Sequence, residues 1–261
     1  MNKGKVFLVG AGPGDPKLLT VYGMECLQQA DVIAYDRLVN PKLLELAKPD
    51  AELIFCGKLP GRHALIQEQI NQMLVDKAND GKIVTRLKGG DPCVFGRAGE
   101  EAQILSEHGI DFEIVPGVTS GIAAPAYAGI PVTHRDHASS FAIVTGHGRA
   151  EKQQDHIHWK ALAEGIDTIA FYMSVGNLTY ICKQLIENGK NPDTPAALIE
   201  WGTMEKQRTV TGCLRNIAEL GEQENIQHPA IFLVSETVQL REKIGWFEKK
   251  LQQEQVKEQP I

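Results

Sequence analysis

Val6-Phe7-Leu8-Val9-Gly10-Ala11-Gly12-Pro13-Gly14-Asp15 is an apolar run that drives straight into a glycine turn. Four apolar residues in a row, two of them β-branched, read as a strand buried on both faces. The run is too short for the apolar core of a signal peptide. A strand closed by glycines is how a parallel α/β sheet begins, and the pattern repeats onward from there. Further strands are expected over 31–35, 52–56, 83–87 and 112–115. Between them, 64–77 places Leu65, Ile66, Ile70, Met73 and Leu74 on one helical face, and 97–108 reads as a second helix stopped by Gly109. The character changes near Pro116-Gly117, where 118–129 is rich in Ala, Ser and Gly. New strands are expected over 141–145, 168–173, 196–200, 208–211 and 231–234, the last without clear intervening helices, so this sheet should be mixed. The expectation is two α/β domains, 1–116 with a mainly parallel sheet and 117–240 with a mixed one. A polar helix over 241–255 and a frayed tail complete the chain to 261.

Composition narrows the function. The chain has 261 residues, 43% hydrophobic and 23% charged, with a net charge of −6. These are ordinary globular values and long enough for an unstapled core. No apolar run approaches the ~20 residues that span a bilayer, so no membrane role is expected. Cys26, Cys56, Cys93, Cys182 and Cys213 are odd in number and scattered, with no CxxC. Neither a disulfide framework nor a metal site is indicated, and a reduced cytoplasmic setting fits. An acidic chain is a poor nucleic-acid partner, whereas an anionic small molecule could still bind in a locally cationic cleft.

Two glycine loops carry the chemistry. Gly10, Gly12 and Gly14 are spaced G-x-G-x-G rather than the G-x-G-x-x-G of dinucleotide sites, and Pro13 removes an N–H that a phosphate nest would use. Asp36, at the end of the next strand, does stand where a ribose-binding acid would. A tight structural turn and a ligand loop both remain open for this segment. The second loop, Leu87-Lys88-Gly89-Gly90-Asp91-Pro92 with Phe95-Gly96-Arg97-Ala98-Gly99-Glu100-Glu101 behind it, follows a strand and exposes backbone at the edge where α/β sheets hold ligands. A plain strand-to-helix connection would not call for so many small residues beside Lys88, Asp91 and Arg97.

Val9 to Asp15, Tyr35-Asp36-Arg37-Leu38-Val39, Arg86 to Pro92, Phe95-Gly96-Arg97, Val115-Pro116-Gly117-Val118-Thr119-Ser120 and Gly129-Ile130-Pro131-Val132-Thr133-His134-Arg135 occur in this order. Together they closely resemble the tetrapyrrole methylase family over residues 5–240, and within it the branch acting on uroporphyrinogen III rather than on later precorrins. The resemblance implies an active-site cleft between the two domains and a homodimer. It implies S-adenosyl-L-methionine (SAM) as methyl donor, leaving S-adenosyl-L-homocysteine (SAH). The implied reaction is methylation at C2 and C7, giving precorrin-2 by way of precorrin-1 for sirohaem or cobalamin. Some relatives carry a fused dehydrogenase–ferrochelatase domain, and this chain looks like the stand-alone methylase. Departures exist: Lys58-Leu59 replaces a usual Lys-Arg, Cys93 a frequent Phe, Ala98 a Gly, and Gly121 a commoner Ala. The first removes a cation, for which Arg62 could compensate.

Residue by residue, the resemblance implies Asp36 as proton acceptor and Lys58 as proton donor, with Arg97 in the catalytic set. Donor contacts fall on Pro13, Gly89, Gly90, Asp91, Val94, Thr119, Ser120, Met173, Gly202 and Ala230. Met173 also fits a core filler. A polycarboxylate substrate needs arginine forks, which match a carboxylate bidentately. Arg37, Lys58, Arg62, Arg97 and Arg135 are the candidates, with Glu100 a further candidate base or contact, while Arg149 reads better as a solvated surface charge. His63, His134, His137 and His147 lie near these segments without metal spacing. Three rival readings stand beside this one: a sibling precorrin methyltransferase, an NAD(P) oxidoreductase prompted by Gly10, Gly12 and Asp36, and a non-catalytic SAM-binding regulator.

Overall fold

The computed structural model describes residues 3–57, 66–146 and 157–257. Two compact units divide between Thr119 and Ser120. In the first, β1 (Lys5–Gly10), β2 (Val32–Tyr35), β3 (Glu52–Phe55), β4 (Ile83–Lys88) and β5 (Asp111–Val115) form one sheet in the order β3-β2-β4-β1-β5. Every pairing is parallel. Val6, Leu8, Val9, Val84 and Leu87 are fully buried, as strands covered on both faces require. Helix α1 (Val21–Gln29) covers one face through Cys26 and Leu27. Helices α2 (Gln67–Asn79) and α3 (Ala98–Glu107) cover the other through Leu74, Val75 and Leu105.

This order creates a switch point. The chain leaves β1 over the α1 face towards β2, and leaves β4 over the opposite face towards β5. β1 and β4 are neighbours, so a crevice opens between their carboxyl ends, where such sheets bind ligands. Helix α1 does not spring from the glycine turn: a short turn over Pro16–Leu18 intervenes, and Thr20 Oγ1 caps α1 by accepting from the Gly23 N–H at 3.0 Å. Thr20→Ala is expected to cost about 1 kcal/mol, read as a lower urea midpoint with unchanged slope.

The second unit holds β6 (Phe141–Thr145), β7 (Thr168–Tyr172), β8 (Pro195–Glu200), β9 (Arg208–Cys213) and β10 (Ala230–Val234) in the order β6-β7-β10-β8-β9. β6 and β7 are parallel and the other pairs antiparallel, the mixed sheet that was expected. Helices α5 (Trp159–Gly165), α6 (Leu178–Glu187) and α7 (Ile217–Gln223) pack on one face. Helix α4 (Ser120–Tyr127) packs on the other through Ala124.

Several boundaries differ from expectation. The small-residue segment contains α4, with Pro125 inside it, and α7 does separate β9 from β10. Met173 is not a strand end, because its φ of 54° turns the chain out of the sheet. Arg97 is the left-handed cap of α3 rather than its first turn. The expected helix over 241–255 is two, α8 (Arg241–Ile244) and α9 (Phe247–Lys257), broken where Gly245 adopts an extended backbone.

Candidate active site

Four loops are knit together at the carboxyl edge of the first sheet. Ala11 N–H donates to Lys88 O at 2.7 Å, and Gly12 and Gly90 exchange both backbone hydrogen bonds at 3.2 and 2.7 Å. Asn40 Nδ2 donates to Gly14 O at 2.7 Å, bringing in the loop after β2. Asp91 Oδ2 accepts from Gly117 N–H at 3.0 Å, bringing in the loop after β5. A Cβ on Gly10 would lie 2.6 Å from Gly117 Cα and 2.7 Å from Gly90 O, so the backbones meet where no side chain fits. Gly10→Ala should therefore force the loops apart and cost roughly 1–3 kcal/mol or more. A melting curve like the parent's would contradict this contact.

Behind the seam lies a buried charge cluster. Side chains alternate along β4, so Arg86 and Lys88 project to the same face, under α2 and α3. Glu101, in the first turn of α3 and fully buried, receives both cations on Oε1: Arg86 Nε at 3.1 Å and Lys88 Nζ at 2.9 Å. Gln67 Nε2 donates to the same oxygen at 3.1 Å. Arg86 continues to Asp36, whose Oδ1 accepts from Nη2 at 2.6 Å, while Nη1 donates to Ala34 O at 3.3 Å. Burial opposes the Arg86 charge, but the Asp36 and Glu101 carboxylates raise its pKa on balance. Burial first, then repulsion from Arg86, pulls Lys88 down. Asp36 thus reaches past its neighbour Arg37 to pair with a buried arginine, and remains one-third exposed.

The other expected residues of this unit fall around that edge. Gly89 packs against Leu38, with room for a Cβ only at 3.3 Å from the Leu38 Cβ, and Gly90 has a φ of 71°. Asp91 is a brace, since Oδ1 accepts from Cys93 N–H at 2.8 Å while Oδ2 holds Gly117. Pro13 and Val94 are half-buried and Thr119 is buried. Arg97 forks onto Glu100 (Nε to Oε1 2.8 Å, Nη2 to Oε2 2.6 Å), and both side chains are more than half exposed. Phe95 and Arg97 both have positive φ, at 55° and 60°, an unfavourable backbone for their types that is kept where function or packing fixes it. Lys58, Arg62 and His63 lie outside the described residues, as do His147 and Arg149.

In the second unit the register collects three expected residues on one sheet edge. β10 runs antiparallel to both β7 and β8, with Phe232 opposite Phe171 and Ala230 opposite Glu200. Met173, Gly202 and Ala230 therefore share an edge. Met173 is 45% exposed, which removes the core-filler reading. Trp201 and Thr203, flanking Gly202, have φ of 48° and 70°. A Cβ on Gly202 would sit 2.3 Å from the Ala124 Cβ, so this glycine also serves the packing of α4. Ser120 begins α4, and the next N–H, of Gly121, donates to Tyr172 Oη at 2.5 Å. Arg135 stands exposed in a loop closed by the His134–Ala138 bridge, beside the paired rings of His134 and His137.

The donor set of the first unit favours a nucleoside carrying a cation over a pyrophosphate. Pro13 withholds an N–H, Lys88 is committed to Glu101, and α1 begins too late to aim its terminus at the turn. Asp91 and one-third-exposed Asp36 supply negative charge instead. Among the described residues no group of three or more His, Cys, Asp or Glu is placed to hold a metal ion, and no helix is long and apolar enough to cross a membrane.

Residues 5–218 match the family of Tetrapyrrole (Corrin/Porphyrin) Methylases. The chain is 61% identical over 235 residues to the uroporphyrinogen-III C-methyltransferase of Priestia megaterium, covering 90% of this chain and 98% of that protein. It is 56% identical over 250 residues to a protein of the same name from Bacillus subtilis (strain 168), covering 96% of this chain and 52% of the relative, so it spans about half of that longer protein. Among solved structures, the uroporphyrin-III C-methyl transferase of Thermus thermophilus complexed with S-adenyl homocysteine superposes with a TM-score of 0.77 at 39% identity. That match covers 91% of this chain and 100% of the other. The chain belongs to the tetrapyrrole methylase family, and its fold is that of the family's methyltransferases.

Proposed function

We propose that this chain is a SAM-dependent C-methyltransferase that methylates uroporphyrinogen III at C2 and C7, giving precorrin-2 through precorrin-1 for sirohaem or cobalamin synthesis. The observation that carries the proposal is 61% identity along nearly the whole length of a uroporphyrinogen-III C-methyltransferase. The SAH-bound relative of matching fold supports SAM as donor, and the phosphate-averse glycine seam supports it independently.

SAM supplies a methyl group already activated by its sulfonium. The protein then has to hold donor and macrocycle in line, an arrangement worth effective molarities of about 10⁵–10⁸ M. Pro13, Gly89, Gly90, Asp91, Val94, Thr119 and Ser120 are the proposed donor contacts of the first loops and of the α4 start. Met173, Gly202 and Ala230 are those of the second sheet's edge. Asp36 takes the proton the macrocycle sheds after each transfer, and Lys58 returns one. Arg97, Arg135 and Arg62 grip substrate carboxylates. For Arg97 this means leaving Glu100, an exposed pair of small worth that a multiply charged ligand can outbid. A homodimer and a cytoplasmic location complete the reading.

The test is incubation with SAM and uroporphyrinogen III under reducing, oxygen-free conditions, followed by product mass. A gain of two methyl groups supports the proposal. An unchanged mass, with methylation only of a later precorrin, would favour the sibling enzyme. Calorimetry should show SAH binding and no NAD binding; the reverse would favour the oxidoreductase.

A further inference from the structure

We propose that Glu101 is a positioning residue for proton removal by Asp36, acting through Arg86 and balanced by Lys88; the inference rests on the methyltransferase reading above. Glu101 touches neither donor nor substrate, being fully buried in the first turn of α3. Its Oε1 gathers Arg86 Nε, Lys88 Nζ and Gln67 Nε2 at 3.1, 2.9 and 3.1 Å. Its Oε2 has no hydrogen-bond partner among the described residues. A group placed to satisfy hydrogen bonds would not strand a buried oxygen, so the carboxylate is held there for its charge.

The charges explain why that matters. Arg86 and Lys88 contribute two positive charges, and Glu101 and Asp36 two negative ones. Side-chain exposure is 2% for Arg86, 3% for Lys88 and 0% for Glu101, but 34% for Asp36, so Asp36 alone of the four reaches the surface. Three further titratable groups of the described residues act on the cluster: Cys56, a buried thiol pushed up by that burial, and the exposed pair Arg97 and Glu100, which feel Glu101 and Lys88 and balance each other's charge. With Glu101 in place, Arg86 is shared between two carboxylates, and Asp36 is not the sole counter-charge of the buried cations. The ring then gives its proton to Asp36 and retains the electron pair, restoring its conjugation. Without the Glu101 charge, Asp36 becomes the sole counter-ion of two buried cations and holds its own charge too firmly to serve as a base.

Glu101→Gln preserves shape and removes the charge. Lys88→Met combined with Glu101→Gln removes one charge of each sign and leaves Arg86 paired with Asp36. Parent, single and double variants are compared by SAH titration and by steady-state methylation of uroporphyrinogen III across pH. Expected for the single variant are a parental SAH Kd, a parental KM, and kcat lower by about tenfold. The acid limb of its kcat–pH profile should move to lower pH. The double variant should recover most of kcat and return the limb. A single variant with parental kcat and limb, or a double variant no faster than the single, would overturn the proposal. Should the single variant not fold, a double variant within about threefold of parental kcat supports it and a tenfold loss overturns it. Absence of methyl transfer by the parent would refute the methyltransferase reading itself, a result seen before any substitution is made.

Discussion

Arg86→Met should cost about 3–5 kcal/mol of folding stability, seen as a fall of roughly 10 °C in Tm. Arg86 is buried in the middle of a parallel sheet and serves four acceptors: Glu101, Asp36, Ala34 O and Leu87 O. A methionine fills most of the volume but donates to none of them. Asp36 can rehydrate and Glu101 retains Lys88, which softens the loss, but the guanidinium that joins the two carboxylates is gone and Glu101 stays buried with one cation fewer. Arg86→Lys should fare little better, because one ammonium cannot span the acceptors that the guanidinium joins. Replacing Arg86, Lys88 and Glu101 together by Met, Met and Leu should recover much of the loss, since removing a whole buried ionic set is often neutral or better. A triple variant as unstable as Arg86→Met would contradict that assignment of the energy.

Asp36→Asn should lower kcat by about 10²–10⁴-fold while SAH affinity stays near the parent's. Asparagine keeps the shape and offers its carbonyl to Arg86 Nη2, so the loop after β2 stays in place. What is lost is the ability to accept a proton. The Asn40 bond to Gly14, which ties this loop to the glycine seam, does not involve Asp36 and should hold the donor loops unchanged. Equal losses in kcat and in SAH affinity would mean that Asp36 shapes the donor loops instead of acting on the ring. A parental kcat would remove it from the chemistry.

The parallel sheet was legible because β1 is an uninterrupted apolar run that ends in glycine, and burial on both faces leaves no other reading. Helix α4 was hidden by its own composition: Ala, Gly and a Pro give no amphipathic stripe, and its packing depends on close approach to Gly202 and Tyr172, far away in sequence. Gly245 split the last helix because its backbone packs against Gly129, again a long-range contact. The glycines at 10, 90 and 117 could be marked as a site, yet their backbone seam could not be foreseen from spacing alone. Asp36 was recognisable by position, whereas its partner was not, because Arg86 stands fifty residues away. A signal for the cluster did exist. Two cations two positions apart in a strand with no polar face must find buried counter-charge, and Glu101 opens the next helix.

The most direct measurement is transfer of labelled methyl from SAM to uroporphyrinogen III by the purified chain without oxygen. Two labels per macrocycle are expected, with one equivalent of SAH released for each. Label that stays in SAM, despite intact binding of SAH, would contradict this and leave a donor-binding protein without this reaction.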